Sequence, residues 1–230
     1  MSREPASTAS TGRHRAPGRR GLLAGAVLLA AGPSCAQALG FDFEAMAAGG
    51  PPPGFVTALT GGGPPPRWMV LQDPGAPAGP KVLAEVSRDR TDNRFPMALL
   101  GGFSARDLAV SVRFRAVAGR VDQAAGLVVR CCDAANYYVA RANALEDNVR
   151  LYRVVGGRRI QFAGADAPVP RDRWLSLGLQ IAGDRLEVSL DGRPLFVATD
   201  RSFATAGQVG LWTKADSLTH FDDLRVEPLA

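Results

Sequence analysis

The stretch that decides the fold is residues 174–192, WLSLGLQIAGDRLEVSLDG. Leucine or isoleucine stands at every second position from Leu175 to Ile181, and the same alternation resumes at Leu186 after a short Gly-Asp turn. Side chains alternate between the two faces of a β-strand, so this spacing predicts two strands that each bury one face. Asp191-Gly192 is a common hairpin turn and predicts a third strand beyond it.

The same period of two extends outward in both directions. It recurs in residues 108–117, 137–144, 149–155 and 158–162, and again in 195–198, 208–214 and 224–226, while residues 126–132 read as a strongly apolar strand. Many short alternating strands joined by Gly or Asp turns are typical of a β-sandwich or barrel. We therefore predict an all-β fold with two antiparallel sheets packed face to face, and one domain over residues 39–230.

Glycine and proline are concentrated between residues 45 and 80. That density predicts a long loop, interrupted by one short strand around Trp68–Leu71, since proline is excluded from central strands. The alternating segment Phe41–Glu44 before the loop predicts an additional first strand of the same domain.

The N-terminus carries an export pattern over residues 1–38. Arg19-Arg20 precede an apolar run from Leu22 to Ala31, and a small-x-small site ends at Ala38, where cleavage is expected. The run is shorter than the 20 or so residues that span a bilayer, so no membrane span is expected. The arginine pair resembles a twin-arginine signal; a general secretory signal and lipidation at Cys35 are the alternatives. A periplasmic or secreted location follows from each.

Charge argues against nucleic-acid binding. The formal net charge is +5, but residues 1–38 contain five arginines and one glutamate, which leaves about +1 for the body. A nearly neutral domain lacks the basic patch that nucleic acid requires. The remaining cysteines, Cys131 and Cys132, are adjacent; we expect no disulfide between them, with one side chain buried and the other exposed.

Several segments resemble concanavalin A-like jelly rolls, in particular laminin G-like domains. They are Asn136-Tyr137-Tyr138, Arg141-Ala142-Asn143, Trp174, residues 186–192, residues 210–217 and Phe221-Asp222-Asp223-Leu224. Within that group the chain is similar to domains of the 3-keto-disaccharide hydrolase family. The resemblance implies two antiparallel sheets, a concave outer face and a role related to glycans.

Catalytic patterns are weak. The Glu-x-Asp-x-x-Glu strand motif of glucanases with a similar fold is missing, and the only acidic pair at i, i+2 on a predicted strand is Asp42 and Glu44. His220 is the single histidine of the body, and no nucleophile motif accompanies it. Enzymatic activity is therefore left open.

Strand alternation instead groups one outward-facing set: Tyr137, Arg141, Asn143, Trp212 and Lys214. An aromatic ring beside guanidinium, amide and ammonium donors is the combination that binds sugars. We predict that this set binds carbohydrate on the concave sheet. The alternative is a solvated outer face. Trp212 in particular either packs beneath a loop or offers its ring to a ligand.

A second set is acidic: Asp42 and Glu44 near the first strand, and Asp222 and Asp223 near the last. Carboxylates grouped there would suit a structural Ca²⁺, the one cofactor that the sequence suggests. The alternative is turn chemistry by aspartate. Together these patterns predict an exported jelly roll that binds carbohydrate, with hydrolysis or elimination on a (3-keto-)disaccharide and a structural envelope module as alternatives.

Overall fold

A computed structural model describes residues 37–229. The predicted export segment lies outside these residues except for its last two positions, so it stays a prediction. The described chain contains fifteen strands and no helix: β1 Leu39–Phe41, β2 Phe55–Gly61, β3 Trp68–Gln72, β4 Lys81–Glu85, β5 Arg94–Leu100, β6 Leu108–Ala118, β7 Ala124–Asp133, β8 Asn136–Asn143, β9 Asn148–Val155, β10 Arg158–Asp166, β11 Leu175–Ala182, β12 Arg185–Leu190, β13 Arg193–Thr199, β14 Gln208–Trp212 and β15 Leu218–Pro228. Over these residues there is consequently no helix long and apolar enough to cross a membrane.

The strands form two antiparallel sheets. Sheet A has the order β13-β12-β11-β6-β15-β4-β3, with β1 also paired to β15, and sheet B has the order β10-β9-β8-β7-β14-β5-β2. The predicted two-sheet jelly-roll sandwich is confirmed. Alternation places Val112 of β6, Leu177 of β11 and Leu127 of β7 in one apolar core between the sheets.

The region from residue 45 to residue 80 contains more strand than predicted. Besides β3, which agrees with the predicted short strand, β2 runs from Phe55 to Gly61 and pairs with β5. The run Phe55–Thr60 contains neither proline nor glycine, and β2 is an edge strand that needs a partner on one side only. The prolines and glycines that flank this run are therefore compatible with it.

The first strand is also displaced from its prediction. It covers Leu39–Phe41 rather than Phe41–Glu44, because the backbone at Phe43 adopts a φ of +62° and leaves the extended conformation. The side chain of Asp42 accepts a hydrogen bond from the Glu44 backbone N–H at 3.1 Å. Asp42 and Glu44 thus belong to a turn and are not a same-face pair on a strand.

Sheet B is strongly curved, and its concave face is the one that points away from the core between the two sheets. Arg159 lies on the edge strand β10, and Phe95 lies on β5, five places away in the sheet order. Flat spacing would separate these strands by about 24 Å. The Arg159 guanidinium nevertheless lies 4.8 Å from the centre of the Phe95 ring, and Thr60 of β2 approaches Tyr137 of β8 to 2.8 Å between hydroxyl oxygens. The concave sheet is therefore sheet B.

Candidate functional site

The five residues predicted to bind carbohydrate lie together on the concave face of sheet B. Tyr137, Arg141 and Asn143 project from β8, Trp212 projects from β14, and Lys214 follows β14. The structure brings the set together but buries it: every member is less than one-tenth exposed. These side chains therefore do not form an open surface, because other side chains fill the concave face; carbohydrate binding by the set stays a prediction.

Trp212 is completely buried in an aromatic cluster with Phe95, Tyr137 and Tyr152. Its ring stacks on Phe95 with centroids 5.4 Å apart, and its Nε1 donates a hydrogen bond to the Tyr137 hydroxyl at 3.3 Å. A Cβ at Gly126 would collide with the Trp212 ring, so glycine on the neighbouring strand β7 makes space for it. Of the two alternatives for Trp212, burial is the one observed, but the side chain over the ring is Arg159 of the edge strand β10 and not part of a loop.

Arg159 covers this aromatic cluster from the edge of the sheet. Its guanidinium carbon lies 4.5 Å from the centre of the Tyr152 ring and 5.7 Å from that of Trp212. Cation–π contacts are strongest where water is excluded. Burial also raises the pKa of Tyr137 to about 12, because its effect is larger than that of the hydrogen bonds to Thr60 and Trp212, which lower the pKa. Tyr137 is accordingly a neutral structural hydroxyl near pH 7.

A network of polar side chains continues the concave face beyond the aromatic cluster. We call Asp92, Asp122, Arg141, Asn143, Glu146, Asn148 and Lys214 the polar rim. Arg141 Nη2 donates to Glu146 at 2.9 Å and to Asn148 Oδ1 at 2.6 Å. Asn148 Nδ2 donates to the same Glu146 oxygen at 3.0 Å. Glu146 is half-exposed, so this part of the network reaches the solvent through its carboxylate.

Lys214 organises the other part of the polar rim. Its ammonium lies 2.6 Å from Asp92 and 3.0 Å from Asp122 Oδ2, and Asn143 Nδ2 donates to the other carboxylate oxygen of Asp122, Oδ1, at 2.9 Å. Burial alone would lower the pKa of Lys214, but the two aspartates outweigh it and raise the pKa above its ordinary value. Lys214 is therefore a permanent cation that holds two carboxylates in place.

The Glu146 carboxylate is held ionised. Burial disfavours its charge, but hydrogen bonds from Arg141 and Asn148 outweigh that effect and lower its pKa. The rim thus presents fixed carboxylates and amides rather than a protonated acid. Within the rim one donor is left over: Arg141 Nε is buried and has no hydrogen-bond partner among residues 37–229, as is also true of seven side-chain atoms outside the rim. Buried donors without partners are uncommon and call for an explanation.

Four rim residues were not singled out by the sequence: Asp92, Asp122, Glu146 and Asn148. The sequence does contain a signal for Glu146 and Asn148. Residues 144–147 form the turn between β8 and β9, so this hairpin brings Glu146 into the turn and places Asn148 opposite Asn143. Asp92 and Asp122 lie in loops that only tertiary packing brings to Lys214. No local spacing identifies them.

The predicted calcium ligands are dispersed among separate contacts. Asp222 accepts hydrogen bonds from the backbone N–H groups of Ala78 and Asp223 at 2.8 and 2.7 Å, and Glu44 accepts one from Lys81 at 2.6 Å. Burial, and secondarily the nearby carboxylates Asp223 and Glu44, raise the pKa of Asp222. Within the described residues no group of three or more acidic, histidine or cysteine side chains is arranged to hold a metal ion. Calcium binding stays a prediction.

The cysteines lie as predicted. Cys131 is buried, Cys132 is exposed, and both are free thiols. The buried thiol contributes to the apolar packing beneath the concave face, where it neighbours the aromatic cluster.

Comparison with known proteins identifies the family. Residues 96–229 match the model of the galactocerebrosidase C-terminal lectin domain, which is more than half of the chain. The chain belongs to this lectin-domain family. No curated protein matches it significantly in sequence.

Solved structures support the same fold. The chain is similar to the carbohydrate-binding module CBM66 from Bacillus subtilis, with 22% identity, a TM-score of 0.61 and coverage of 76% of this chain and 95% of that one. It is also similar to a Bacillus licheniformis β-glucanase, with 10% identity, a TM-score of 0.57 and coverage of 84% and 99%. At these identities the likeness shows the fold alone. The concanavalin A-like jelly roll is confirmed, whereas the nearer resemblance to 3-keto-disaccharide hydrolases stays a prediction.

Proposed function

We propose that this lectin-domain protein is an exported saccharide-binding module and that the polar rim is its binding site. The observation that carries the proposal is the half-exposed Glu146 held by buried Arg141, whose Nε has no partner among the described residues. A charged acceptor at the surface is thus fixed by an arginine that is itself buried. The site differs from the sequence prediction in two respects. It includes Asp92, Asp122, Glu146 and Asn148, and the buried rings of Trp212 and Tyr137 support the rim instead of stacking on the sugar.

The chemistry of the rim suits a polyol. A sugar hydroxyl both donates and accepts hydrogen bonds, so a binding site needs carboxylate or amide oxygens beside N–H donors. Glu146 and Asp92 supply exposed acceptors, the ammonium of Lys214 supplies a donor at the edge of the buried region, and the buried guanidinium of Arg141 orients Glu146. Because these groups hold one another at 2.6–3.0 Å, the site is ordered before the ligand arrives, which lowers the entropic cost of binding.

Membership of a lectin-domain family supports the ligand class, and so does a saccharide complex of another protein with this fold. Domain 4 of the arabinanase AbnA from Geobacillus stearothermophilus, solved with arabinotriose, has 14% identity, a TM-score of 0.50 and coverage of 75% of this chain and 82% of that one. Export to the periplasm or the medium rests on the N-terminal arginine pair and apolar run.

The test is binding of the purified chain to an oligosaccharide array, followed by titration calorimetry with the best neutral ligand. Glu146→Gln and Asp92→Asn should each weaken binding by about tenfold, the effect of losing one charged hydrogen bond of about 1.5 kcal/mol. Asp184→Asn is the matched control, because Asp184 is also a surface carboxylate paired with an arginine, Arg201, at 2.7 Å. Unchanged affinity in both rim variants would overturn the assignment of the site.

A further inference from the structure

A groove crosses the opposite side of the molecule, on the outer face of sheet A. Its main part has a volume of about 320 Å³ and is floored by Ser111, Gly178 and Ser189. These three residues lie side by side on β6, β11 and β12, as the strand register shows. A Cβ at Gly178 would collide with the Ser189 hydroxyl. The floor is therefore low because three neighbouring strands present glycine or serine at the same level.

One wall of the groove carries hydrogen-bonding groups. This wall is formed by residues that pair across four neighbouring strands, beside the three floor residues. In order from β15 to β12 they are Glu227, Ala109, Gln180 and Glu187. Arg225 lies level with Ser111 at one end. The lining thus combines carboxylate and amide acceptors with guanidinium, amide and hydroxyl donors, and these are the groups that pair with the hydroxyls of a sugar.

The groove is long enough for an oligomer. A second cavity of about 380 Å³ shares Arg225 and Glu227 with the first and continues to Gly40 on β1. From β13, which contributes Pro194, to β1 the groove crosses six strands, a span of about 24 Å at the usual spacing between strands.

The direction of the groove bears on the kind of ligand. It runs across the strands, and strands β12, β11, β6 and β15 are each hydrogen-bonded to neighbours on both sides. The floor therefore offers no free backbone edge to which a peptide could add as an extra strand. Recognition there depends on side chains alone, which favours a ligand rich in hydroxyl groups.

The charge of the groove limits the ligand further. Glu187 and Glu227 line the main part, and Asp42 and Asp223 line the continuation. Two cations offset these four carboxylates only in part: Arg225 belongs to the lining, and Arg185 pairs with Glu187. Arg225 is already bound to Asp223 at 2.9 Å. A uronic acid or a sulfated sugar would place like charges beside these carboxylates and would be repelled.

We propose that the sheet A groove is a second saccharide site, which binds an uncharged oligosaccharide chain across the strands. Together with the polar rim on sheet B, it makes the domain bivalent, with two sites on opposite faces. A bivalent domain attaches to a polysaccharide more tightly than either site alone, or links two chains.

The test uses affinity electrophoresis through gels that contain a neutral polysaccharide (β-glucan, galactan, arabinan or dextran) or polygalacturonate. The starting protein is the full chain carrying Glu146→Gln and Asp92→Asn, so that retardation reports the groove. We expect at least one neutral polysaccharide to retard it and polygalacturonate not to. Ser189→Tyr and, independently, Ser111→Tyr fill the floor and should each weaken retardation by about tenfold or more.

Leu71→Tyr is the control, because Leu71 lies on the same face of sheet A but on the edge strand β3, away from the groove. Thermal melts establish that each variant folds, and two filling positions are used so that one unfolded variant does not decide the result. The second site would be overturned if no neutral polysaccharide retarded the starting protein. It would also be overturned if both tyrosine variants folded and were retarded as much as Leu71→Tyr. A different result would show that the polar rim is not a binding site. In that case the rim variants would bind as tightly as wild type, and Ser189→Tyr would abolish all binding.

Discussion

The Arg159 guanidinium on β10 lies 4.8 Å from the ring of Phe95 on β5, across a sheet in which five strand spacings separate the two. This contact spans the concave face of sheet B and covers Trp212. It explains why residues that alternate outward from the sandwich core are nevertheless buried: they form a second, smaller apolar cluster inside the curve of one sheet.

Removal of the Arg159 side chain should destabilise the aromatic cluster and expose Trp212. Arg159→Ala loses three cation–π contacts at a largely desolvated position, and we expect about 1–2 kcal/mol less stability in urea unfolding. Acrylamide should then quench more of the tryptophan fluorescence as Trp212 gains exposure. Arg158→Ala is the control, since Arg158 is an exposed neighbour on the same strand. Equal quenching in the two variants would contradict the covering role.

Truncation of Trp212 should affect stability first. Trp212→Ala removes a fully buried ring that packs on Phe95 and hydrogen-bonds to Tyr137, so a loss of about 3–5 kcal/mol is expected. Trp212→Phe, which keeps most of the packing, should lose less. The measurement is the free energy of unfolding from urea titrations. A stable Trp212→Ala variant with lost sugar affinity would restore the ring as a ligand platform.

Asp216 should make the loop beside Lys214 sensitive to acid. Burial disfavours its charge, but hydrogen bonds from the backbone N–H groups of Arg120, Val121 and Asp122 outweigh it and lower its pKa below 3.8. The stabilisation is therefore complete above about pH 5 and is lost as the pH falls through the folded-state pKa.

Asp216→Asn measures this contribution. We expect it to lower the unfolding free energy by about 1–2 kcal/mol at pH 7, because the charge-assisted bonds become neutral ones. The difference from wild type should shrink below pH 4. A difference that stays constant from pH 7 to pH 3 would show that the carboxylate charge is not the source.

The two adjacent cysteines should differ sharply in reactivity. Burial, more than the neighbouring Cys132 and Asp133, raises the pKa of Cys131 to about 12, so its thiolate is scarce at neutral pH. In a Cys35→Ser background, a thiol reagent should label one cysteine per folded chain and two per denatured chain. Cys132→Ser should abolish labelling of the folded form. Two fast thiols in the folded protein would contradict the burial of Cys131.

Export can be tested in the signal itself. Replacement of Arg19 and Arg20 by lysine should block translocation if the twin-arginine route is used, because that route reads the arginine pair and not charge alone. Fractionation followed by immunoblotting measures the exported share, and the mature chain should fold equally well in both forms. Export at the wild-type level would indicate the general secretory route instead.

The sequence alone determined the all-β sandwich class and most of the strands after residue 107, although not β2 or the position of β1. Alternation in residues 174–190 fixed which side chains of β11 and β12 enter the core, because strand geometry is local and has a period of two. The same rule correctly placed Tyr137, Arg141 and Trp212 on one common face of sheet B.

Exposure of that common face was decided only by the tertiary structure. The curvature of sheet B depends on contacts between residues far apart in the chain, such as Arg159 with Phe95 and Thr60 with Tyr137. The partners of Lys214, Asp92 and Asp122, come from two separate loops. Alternation tells the two faces of a strand apart, but it carries no information about how far a sheet bends or what covers its outer face. For that reason the sequence identified the face, and only the folded chain separated its buried aromatic cluster from its polar rim.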